Sequence, residues 1–375
     1  MTANQSPPFY LKFSLNLLTI VLLGALIYIG RDILMPLFFA IVLAILLLPV
    51  DNRLVKWGVP KVPAMLLAIL LALLVIGGVI YFLSSQVAVF VKDLPAIKQH
   101  LNEHLHTIQK WISETFHYSY REQDKAVQEA TSGLKDSGGS VVGTTLISAV
   151  SALLMVILLP IYTFLIMYYR GLIRKFFLDI FASRHRKNVE EVMEESKTIV
   201  QGYMVGLLIE MAIVAALNAT GFLIIGVKYA IFLAVLAAIL NMIPYVGMLV
   251  AAVLCMAITL TTSSEFSDVL WVAGILTVVQ FVDNNFLMPY VVSSKVRINA
   301  LVSIIGVLIG GALAGISGMF LSIPGIAIMK SIFDRVDDLK PWGMLMGDDL
   351  SMLSQRKRRI VAGGKGQKQA AASRD

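Results

Sequence analysis

Long apolar runs separated by short polar segments dominate the pattern of this chain. Each is about twenty residues long, enough to cross a hydrocarbon core of about 30 Å as a helix. Strands of a membrane barrel would instead be about ten residues long with alternating polarity. The pattern therefore predicts an all-α, polytopic transmembrane protein. The runs lie at residues 11–29, 33–50, 62–83, 146–169, 199–226 and 269–287.

Two further apolar runs, at residues 229–262 and 299–333, are too long for one ordinary span, and each is interrupted near its middle. The first interruption is NMIPYVG at Asn241–Gly247, and the second is GGALAGISG at Gly310–Gly318. Proline removes a backbone donor and glycine weakens a helix, so both runs should unwind there. The remaining pieces would each be roughly 15–22 Å long, which is too short to cross the bilayer. We therefore expect two re-entrant helical hairpins.

Basic residues predict the orientation, because cytoplasmic loops are enriched in Lys and Arg. The 51–61 connection, the 170–187 segment and the tail around Arg356–Arg359 are basic, whereas residues 93–145 are not. This distribution favours cytoplasmic N- and C-termini and an extracytoplasmic insert. The two hairpins would then enter from opposite faces, forming the inverted-topology repeat of many secondary transporters. Lys228 is the charge that fits this topology poorly.

This topology predicts four parts. Residues 1–92 carry three transmembrane helices, the first retained rather than cleaved and joined to the second by a turn at Gly30–Asp32. A small helical insert follows at 93–145. Residues 146–340 contain the remaining membrane helices, both hairpins and a basic amphipathic segment at 170–198, which we expect to lie on an anionic membrane surface. Residues 341–375 form a flexible basic cytoplasmic tail.

Composition adds several exclusions. The chain has 375 residues, of which 58% are hydrophobic and 15% charged, and its one cysteine, Cys255, permits no disulfide framework. The net charge of +7 tracks membrane orientation and does not predict nucleic-acid binding. The commonest ATPase and hydrolase motifs are absent from the sequence, so we expect no enzyme and no cofactor. His100 and His104 have the spacing of two metal ligands, but a solvated helix face is favoured.

Polar side chains interrupt the apolar run VVQFVDNNFLMPYVV at residues 278–292. On a helix Gln280, Asp283 and Asn284 share one face, and Asn285 lies at its edge. Pro289 would free a backbone carbonyl one turn earlier. Such a face is costly in lipid, so it should face protein or a water-filled cavity. It could bind a cation, a proton or a polar solute, or it could form a hydrogen-bond network that only fixes helix packing.

Further candidates lie elsewhere in the membrane region. Glu210 is the acid deepest in the predicted membrane and is either a proton-coupling site or a partner of Asn218 or the backbone. Asn241, Pro244 and Gly247 would place free amides and carbonyls at the first hairpin tip, where helix ends could orient a charged solute or form a plain kink. Glycines at the second hairpin predict close helix packing. They are Gly310, Gly311, Gly315 and Gly318.

These motifs resemble the autoinducer-2 exporter family, the PerM-type bacterial permeases. The resemblance rests on NMIPYVG, on QFVDNNFLMP at Gln280–Pro289 and on the closing GVLIGGALAGISGMFLSIPGIAIMK, and it covers nearly the whole chain. The family often has Glu where Asp283 stands. The resemblance implies a secondary transporter of the inner membrane, with some members linked to autoinducer-2 export and others to exchange of sodium or lithium for protons. It also implies homo-oligomers, with the pentamer as the expected size.

We therefore expect a permease that moves a small polar solute or exchanges a monovalent cation for protons within the lipid bilayer. Asp283, Glu210, Asn241 and Asn284 would line its path. A membrane scaffold that binds other proteins through its insert is the alternative from a different class. A passive pore, whose flux ignores ion gradients, is the third reading.

Overall fold

The computed structural model describes residues 8–93, 157–263, 265–293 and 298–348. Every regular element in these residues is helical, and the order is as follows. The helices are α1 (Phe9–Lys56), α2 (Lys61–Lys92), α3 (Ile157–Tyr168), α4 (Arg170–Ile180), α5 (Arg186–Ile225), α6 (Ala230–Asn241), α7 (Val246–Thr262), α8 (Phe266–Val282), a π-helix (Asp283–Ser293), α9 (Ala300–Arg335) and α10 (Lys340–Met346), with 3₁₀ turns at Ser183–His185 and Asp337–Leu339.

Five helices in these residues are long and apolar enough to cross a membrane, and a sixth is counted if α3 and α4 form one bent span. The five are α1, α2, α5, α8 with its π-helical extension, and α9. Most of their large apolar side chains point outward, as expected of surfaces that contact lipid. The prediction of an all-α, polytopic membrane protein is confirmed. The predicted 93–145 insert lies outside the described residues, apart from Asp93.

The predicted turn at Gly30–Asp32 is wrong, because α1 continues through it as one helix of 48 residues, about 72 Å long. A single glycine costs a helix about 1 kcal/mol relative to alanine, which is too little to end it, and Arg31 and Asp32 are tolerated in helices. The predicted first two spans are therefore one helix.

Helix α5 is also longer than predicted. It begins at Arg186, so the charged residues before the apolar run belong to the same helix, and the amphipathic segment predicted for 170–198 is a separate helix only as far as Ile180. Lys187 and Lys197 pair with Glu191 and Glu194, one turn away along α5. Such pairs stabilise an exposed helix where apolar packing does not.

Both interrupted runs form helical hairpins. In the first, α6 and α7 are joined at Met242–Tyr245 and pack around Leu233, Ala234 and Cys255. In the second, α9 leaves helical geometry at Ala314 (φ −143°, ψ 22°) and Gly315 (φ 60°, ψ −144°). A straight helix would separate Gly306 from Ile326 by about 30 Å, yet the two are in contact, so α9 folds back on itself.

Each break falls inside the predicted motif. Gly315 has a positive φ, which an L side chain rarely adopts and which allows the sharp reversal. Gly310 and Gly318 face each other so closely that a Cβ on either would overlap the backbone carbonyl of the other. Gly311 lies against Met319 in the same way. The predicted close packing by glycines therefore operates within one hairpin, between its two arms.

The chain after the second hairpin is not wholly a flexible tail, which corrects the prediction for residues 341–375. Helix α10 packs against the start of α9, with Gly343 and Met346 buried. Asn299 caps α9 by accepting from Val302 N, and its amide donates to the carbonyls of Leu345 at 2.6 Å and Gly347 at 3.2 Å. Residues 349–375 lie outside the described residues.

Four apolar clusters hold the described helices together, and three of them are large. One joins α5, α6, α7 and α8 around Phe222 and Val272, a second joins α5 to α9 around Tyr203 and Val307, and the third joins α1, α2 and α3 around Met167. Helix α5 contributes to the first two, so its buried face lies at the centre of the molecule.

Charged contacts anchor the outer end of each hairpin. Lys228, just before α6, contacts Asp93 at the end of α2 at 2.6 Å, and the Tyr229 hydroxyl donates to the same carboxylate. Arg335, at the end of α9, pairs with Glu195 on α5, which also accepts from Ser331 Oγ at 2.5 Å. Lys228, the exception to the predicted topology, thus has a partner from α2.

Candidate ion and solute site

Asp283 lies where α8 ends and the π-helix begins, and its side chain is 3% exposed. Its Oδ2 accepts from Asn241 Nδ2 at 3.0 Å and, at 3.4 Å, from Gln280 Nε2. Gln280 Nε2 also donates to Asn284 Oδ1 at 3.1 Å. Asp283 Oδ1 has no hydrogen-bond partner among the described residues. One oxygen of this buried carboxylate therefore accepts no hydrogen bond from an amide or hydroxyl group of the described residues.

The first hairpin supplies one of these donors. Asn241 is the last residue of α6, so its amide lies at the hairpin tip and reaches across to the end of α8. Gly247 allows the tip to close, because a Cβ there would overlap the Leu240 carbonyl oxygen. Pro244 lies in the connection between the two arms. The break that the sequence predicts is thus where the hairpin contributes to the site.

Glu210 provides the second acid. It lies on the buried face of α5 and is 5% exposed, and its carboxyl group is within hydrogen-bonding reach of Asp283. Its Oε2 has no other partner in the described part of the chain. Asn218, two turns further along the same face, is also buried with an unpaired Oδ1. Two carboxyl groups distant in sequence therefore share one buried position.

A cavity of about 420 Å³ opens beside the two acids, between α5, α6, α7 and α8. This volume is in the range of sites for small molecules. Its apolar wall includes Ala237, Met248 and Leu276. Its polar wall consists of amide side chains and one hydroxyl, from Asn218, Asn241, Thr277, Gln280 and Asn284. Two of these residues, Asn241 and Gln280, also donate to Asp283, so the cavity and the acid pair belong to one site.

Some predicted residues lie elsewhere. Asn285 is exposed and its Nδ2 donates to the Phe281 carbonyl at 2.8 Å, so it is turned back on its own helix. Pro289 lies within the π-helix and is exposed. The four glycines of the second hairpin are not among the described contacts of Asp283. They determine how closely the two arms of α9 pack.

Three features of the site were not predicted. Tyr203, two turns before Glu210, is 2% exposed and interacts electrostatically with Glu210 and Tyr245. Tyr203 is seven residues, or about two helical turns, before Glu210, so helical periodicity alone would have placed both residues on the same face of α5. Tyr245 has a positive φ of 65°, a strained conformation of the kind that concentrates at functional sites. The third is the π-helix that begins at Asp283, a rare form often found at such sites.

The sequence favours a solvated helix face, and not a metal site, at the pair of histidines with metal-ligand spacing. His100 and His104 lie outside the described residues. Within the described ranges, no group of three or more His, Cys, Asp or Glu side chains is arranged to hold a metal ion. The acid pair at Glu210 and Asp283 has amide neighbours instead.

Comparison with known proteins identifies relatives over most of the chain. The family model described as AI-2E family transporter matches residues 17–338. The chain is 25% identical to "AI-2 transport protein TqsA" of Escherichia coli (strain K12), over 89% of this chain and 94% of that protein. It is 26% identical to "Putative permease PerM" of the same strain, over 87% and 94% of the two chains. It is 25% identical to "Putative transport protein YrrI" of Bacillus subtilis (strain 168), over 80% and 85%.

Proposed function

Because the chain belongs to the AI-2E family of membrane transporters, we propose that it is a secondary transporter with its coupling site at Glu210 and Asp283. It moves a small polar solute, or exchanges sodium or lithium for protons, across a bacterial inner membrane. The single observation that supports this site best is the pair of buried, neighbouring acids, Glu210 on α5 and Asp283 at the end of α8. Asp283 also accepts a hydrogen bond from the Asn241 amide at the tip of the first hairpin.

The chemistry of this site suits a monovalent ion. Two touching carboxylates repel each other, and one bound proton or one small cation relieves that repulsion. Each carboxyl group has an oxygen without a hydrogen-bond partner, and carboxylate and amide oxygens are hard ligands suited to such a cation. The site therefore favours either a proton or a cation, which is the requirement of an exchanger.

The amide-lined cavity suits the solute. Its side chains, Asn218, Gln280 and Asn284 among them, both donate and accept hydrogen bonds and carry no net charge. A neutral polar solute of modest size would be bound by such a wall. Gln280 and Asn241 line the cavity and also donate to Asp283. A solute bound in the cavity would therefore change the hydrogen bonds of Asp283, and an ion bound at Asp283 would change the cavity wall.

The two hairpins support a moving part. We propose that they enter the bilayer from opposite faces, as an inverted-topology repeat, with the C-terminus in the cytoplasm. Because α1 is one continuous helix and crosses once, a cytoplasmic 51–61 connection would place the N-terminus on the opposite side, which replaces the predicted cytoplasmic N-terminus. A shift of the first hairpin would carry Asn241 away from Asp283 and expose the acids to one side of the membrane. A homo-oligomer, and its pentameric size, stay predictions from the family resemblance.

A flux assay tests the proposed coupling. Purified protein in liposomes should drive exchange when a proton or sodium gradient is imposed, and Asp283→Asn should reduce that exchange to the level of empty liposomes. Asn285→Ala is the matched control, because Asn285 lies two residues away but bonds only its own helix. We expect that variant to transport as well as the unmodified protein.

Three outcomes would contradict the proposal. Unchanged exchange in Asp283→Asn would remove Asp283 from the mechanism. Solute flux that ignores both gradients would indicate a passive pore. Absence of flux under every gradient would favour the scaffold reading.

Cysteine labelling tests the inverted hairpins. In a Cys255→Ala background, Glu265→Cys reports the end of the first hairpin and Asp337→Cys reports the end of the second, and both positions are exposed. A membrane-impermeant maleimide should label Glu265→Cys from the outer side and Asp337→Cys from the cytoplasmic side. Labelling of both from the same side would refute the inverted arrangement.

A further inference from the structure

Helix α4 carries all but one of its apolar side chains on the side turned away from the protein; the exception is Leu178. At about 100° per residue, five apolar residues fall within one arc of roughly 140°. All five are exposed, and three are more than half exposed, with Phe176 at 58% and Leu172 at 65%. Leaving such a face in water would cost about 25 cal/mol of free energy for each Å² of apolar surface that stays exposed. The five residues, called here the outer face of α4, are Leu172, Ile173, Phe176, Phe177 and Ile180.

The polar side of the same helix is bound to the protein. Arg170 contacts Asp51 at 3.1 Å, and the Asp51 side chain is fully buried at the end of α1. Arg174 pairs with Glu190 on α5. These arginines would have been expected to face anionic lipid, but their guanidinium groups are occupied by acids of the protein. Two ion pairs therefore fix the rotation of α4 and direct its outer face outward.

The position of α4 shows what covers that face. Helix α3 is apolar and exposes Ile157, Ile161 and Leu165, which a bilayer must cover in a chain that spans the membrane. Helix α4 begins two residues after α3 ends and is bent from it by 64°. A helix that leaves a membrane span at such an angle, with its apolar side outward, has the orientation of an interfacial helix.

We propose that α4 is an interfacial membrane helix, with its outer face buried at the boundary between headgroups and acyl chains. Lys175 lies on the flank of that face, is exposed, and makes no ion pair within the described residues, so it is placed to contact an anionic headgroup. The lipid surface would thus be linked through Arg174 and Glu190 to α5, the helix that carries Glu210.

Site-directed fluorescence in lipid nanodiscs tests this placement. In the full-length Cys255→Ala protein, Phe176→Cys carries a bimane label on the outer face, and Gly171→Cys carries the same label on the opposite side. Gly171 is a matched control because it lies on the same helix and a Cβ there meets nothing within 4 Å. Both positions are exposed, so neither label should disturb folding, which size-exclusion chromatography checks.

We expect nitroxide lipids, labelled high on the acyl chain, to quench the label at 176 several-fold more than the label at 171. Aqueous iodide should show the opposite preference. Strong iodide quenching at 176 would overturn the proposal, because the face would then be in water. Protection of 176 from both quenchers would also overturn it, because a second copy of the chain would then cover the face.

The headgroup contact has its own test. Replacing part of the phosphatidylcholine by phosphatidylglycerol should increase lipid quenching at 176 when Lys175 is present, and this increase should be lost in Lys175→Gln. An increase of equal size in both proteins would remove Lys175 from the proposed contact.

Discussion

The tips of the two helical hairpins consist of different types of residue. The first hairpin ends in Asn241, whose amide donates to Asp283, so its tip brings a polar group to the candidate site. The second reverses at Ala314 and Gly315, and the residues facing each other near that reversal, Gly310 and Gly318, have no side chains. The first break contributes a hydrogen-bonding side chain to the candidate site, whereas the second allows two helix backbones to lie in close contact.

Their outer ends are alike, however, since each is fixed by a charged contact to another helix. Lys228 joins the first hairpin to α2, and Arg335 joins the second to α5. The comparison teaches that apolar runs of similar length can fold alike for different reasons. It also predicts that changes at the second tip will affect stability, whereas changes at the first will affect transport.

The largest effect is expected at the glycine contact. In Gly318→Val the new side chain would occupy the space of the Gly310 carbonyl, so the arms of α9 must separate. Overpacking typically costs about 1–3 kcal/mol, and here the cost should reach or exceed the upper end of that range because the overlap is with backbone. We expect a clearly lower thermal unfolding midpoint in detergent, measured by circular dichroism.

Gly325→Ala is the matched control for this change, because Gly325 is on the same helix and a Cβ there meets nothing within 4 Å. It should leave stability unchanged or raise it by about 1 kcal/mol, the difference in helix propensity. Equal losses in the two variants would mean that the glycine contact does not hold the arms together.

A smaller effect is expected when the polar tip is changed. Asn241→Ala removes the closer of the two donors to Asp283 Oδ2, and Gln280 at 3.4 Å is left as a weak partner. An unsatisfied buried acceptor costs about 1–3 kcal/mol, so we expect exchange in liposomes to fall roughly tenfold.

A double-mutant cycle separates a direct role from a general loss of structure. If Asn241 acts through Asp283, Asn241→Ala should have little further effect on the unfolding midpoint of Asp283→Asn. Additive losses in the double variant would show that Asn241 acts independently of Asp283.

Local chemistry in the sequence was enough to predict both hairpins. Pro244 and the group of glycines around Gly315 weaken a helix more than a single glycine does, so the positions of the breaks were predictable from the residues themselves. The burial of Asp283 and Glu210 was also predictable, since a carboxylate is costly in lipid. Their mutual contact is tertiary, however, and nothing in the spacing of α5 and α8 in the chain encodes it.

Other features could not be predicted from the local hydrophobic pattern, because they depend on the helix preference of the flanking residues or on the backbone hydrogen-bond register. Gly30–Asp32 has the composition of a turn, but the residues on both sides favour helix and there is no proline at the break, so α1 continues. The π-helix from Asp283 changes the hydrogen-bond register of the segment without changing its hydrophobic pattern. Asn285, predicted at the edge of the polar face, donates to the Phe281 carbonyl of its own helix.

The smallest effect is expected at the outer end of the first hairpin. The hydrogen bond from Lys228, and next the one from Tyr229, hold the pKa of Asp93 below its usual range, and the Asp93 hydrogen bond raises the pKa of Lys228. A lowered carboxyl pKa contributes stability above the ordinary value of about 4, and this contribution is lost as the pH falls through the lowered pKa. A raised ammonium pKa contributes stability below about 10.5, and this is lost as the pH rises through the raised pKa.

The contact should therefore stabilise the hairpin across the neutral range and fail at both extremes. We expect the unfolding midpoint of Lys228→Met to lie slightly below that of the unmodified protein near pH 7, with the difference vanishing in strong acid, in strong base and at high salt. Lys340→Met is the control, because Lys340 pairs with Asp337 only three residues away and joins no separate helices. A loss at neutral pH as small as that of the control would mean that the charge contact does not anchor the first hairpin, and that its fixed position comes from the apolar packing around Leu233 and Cys255 alone.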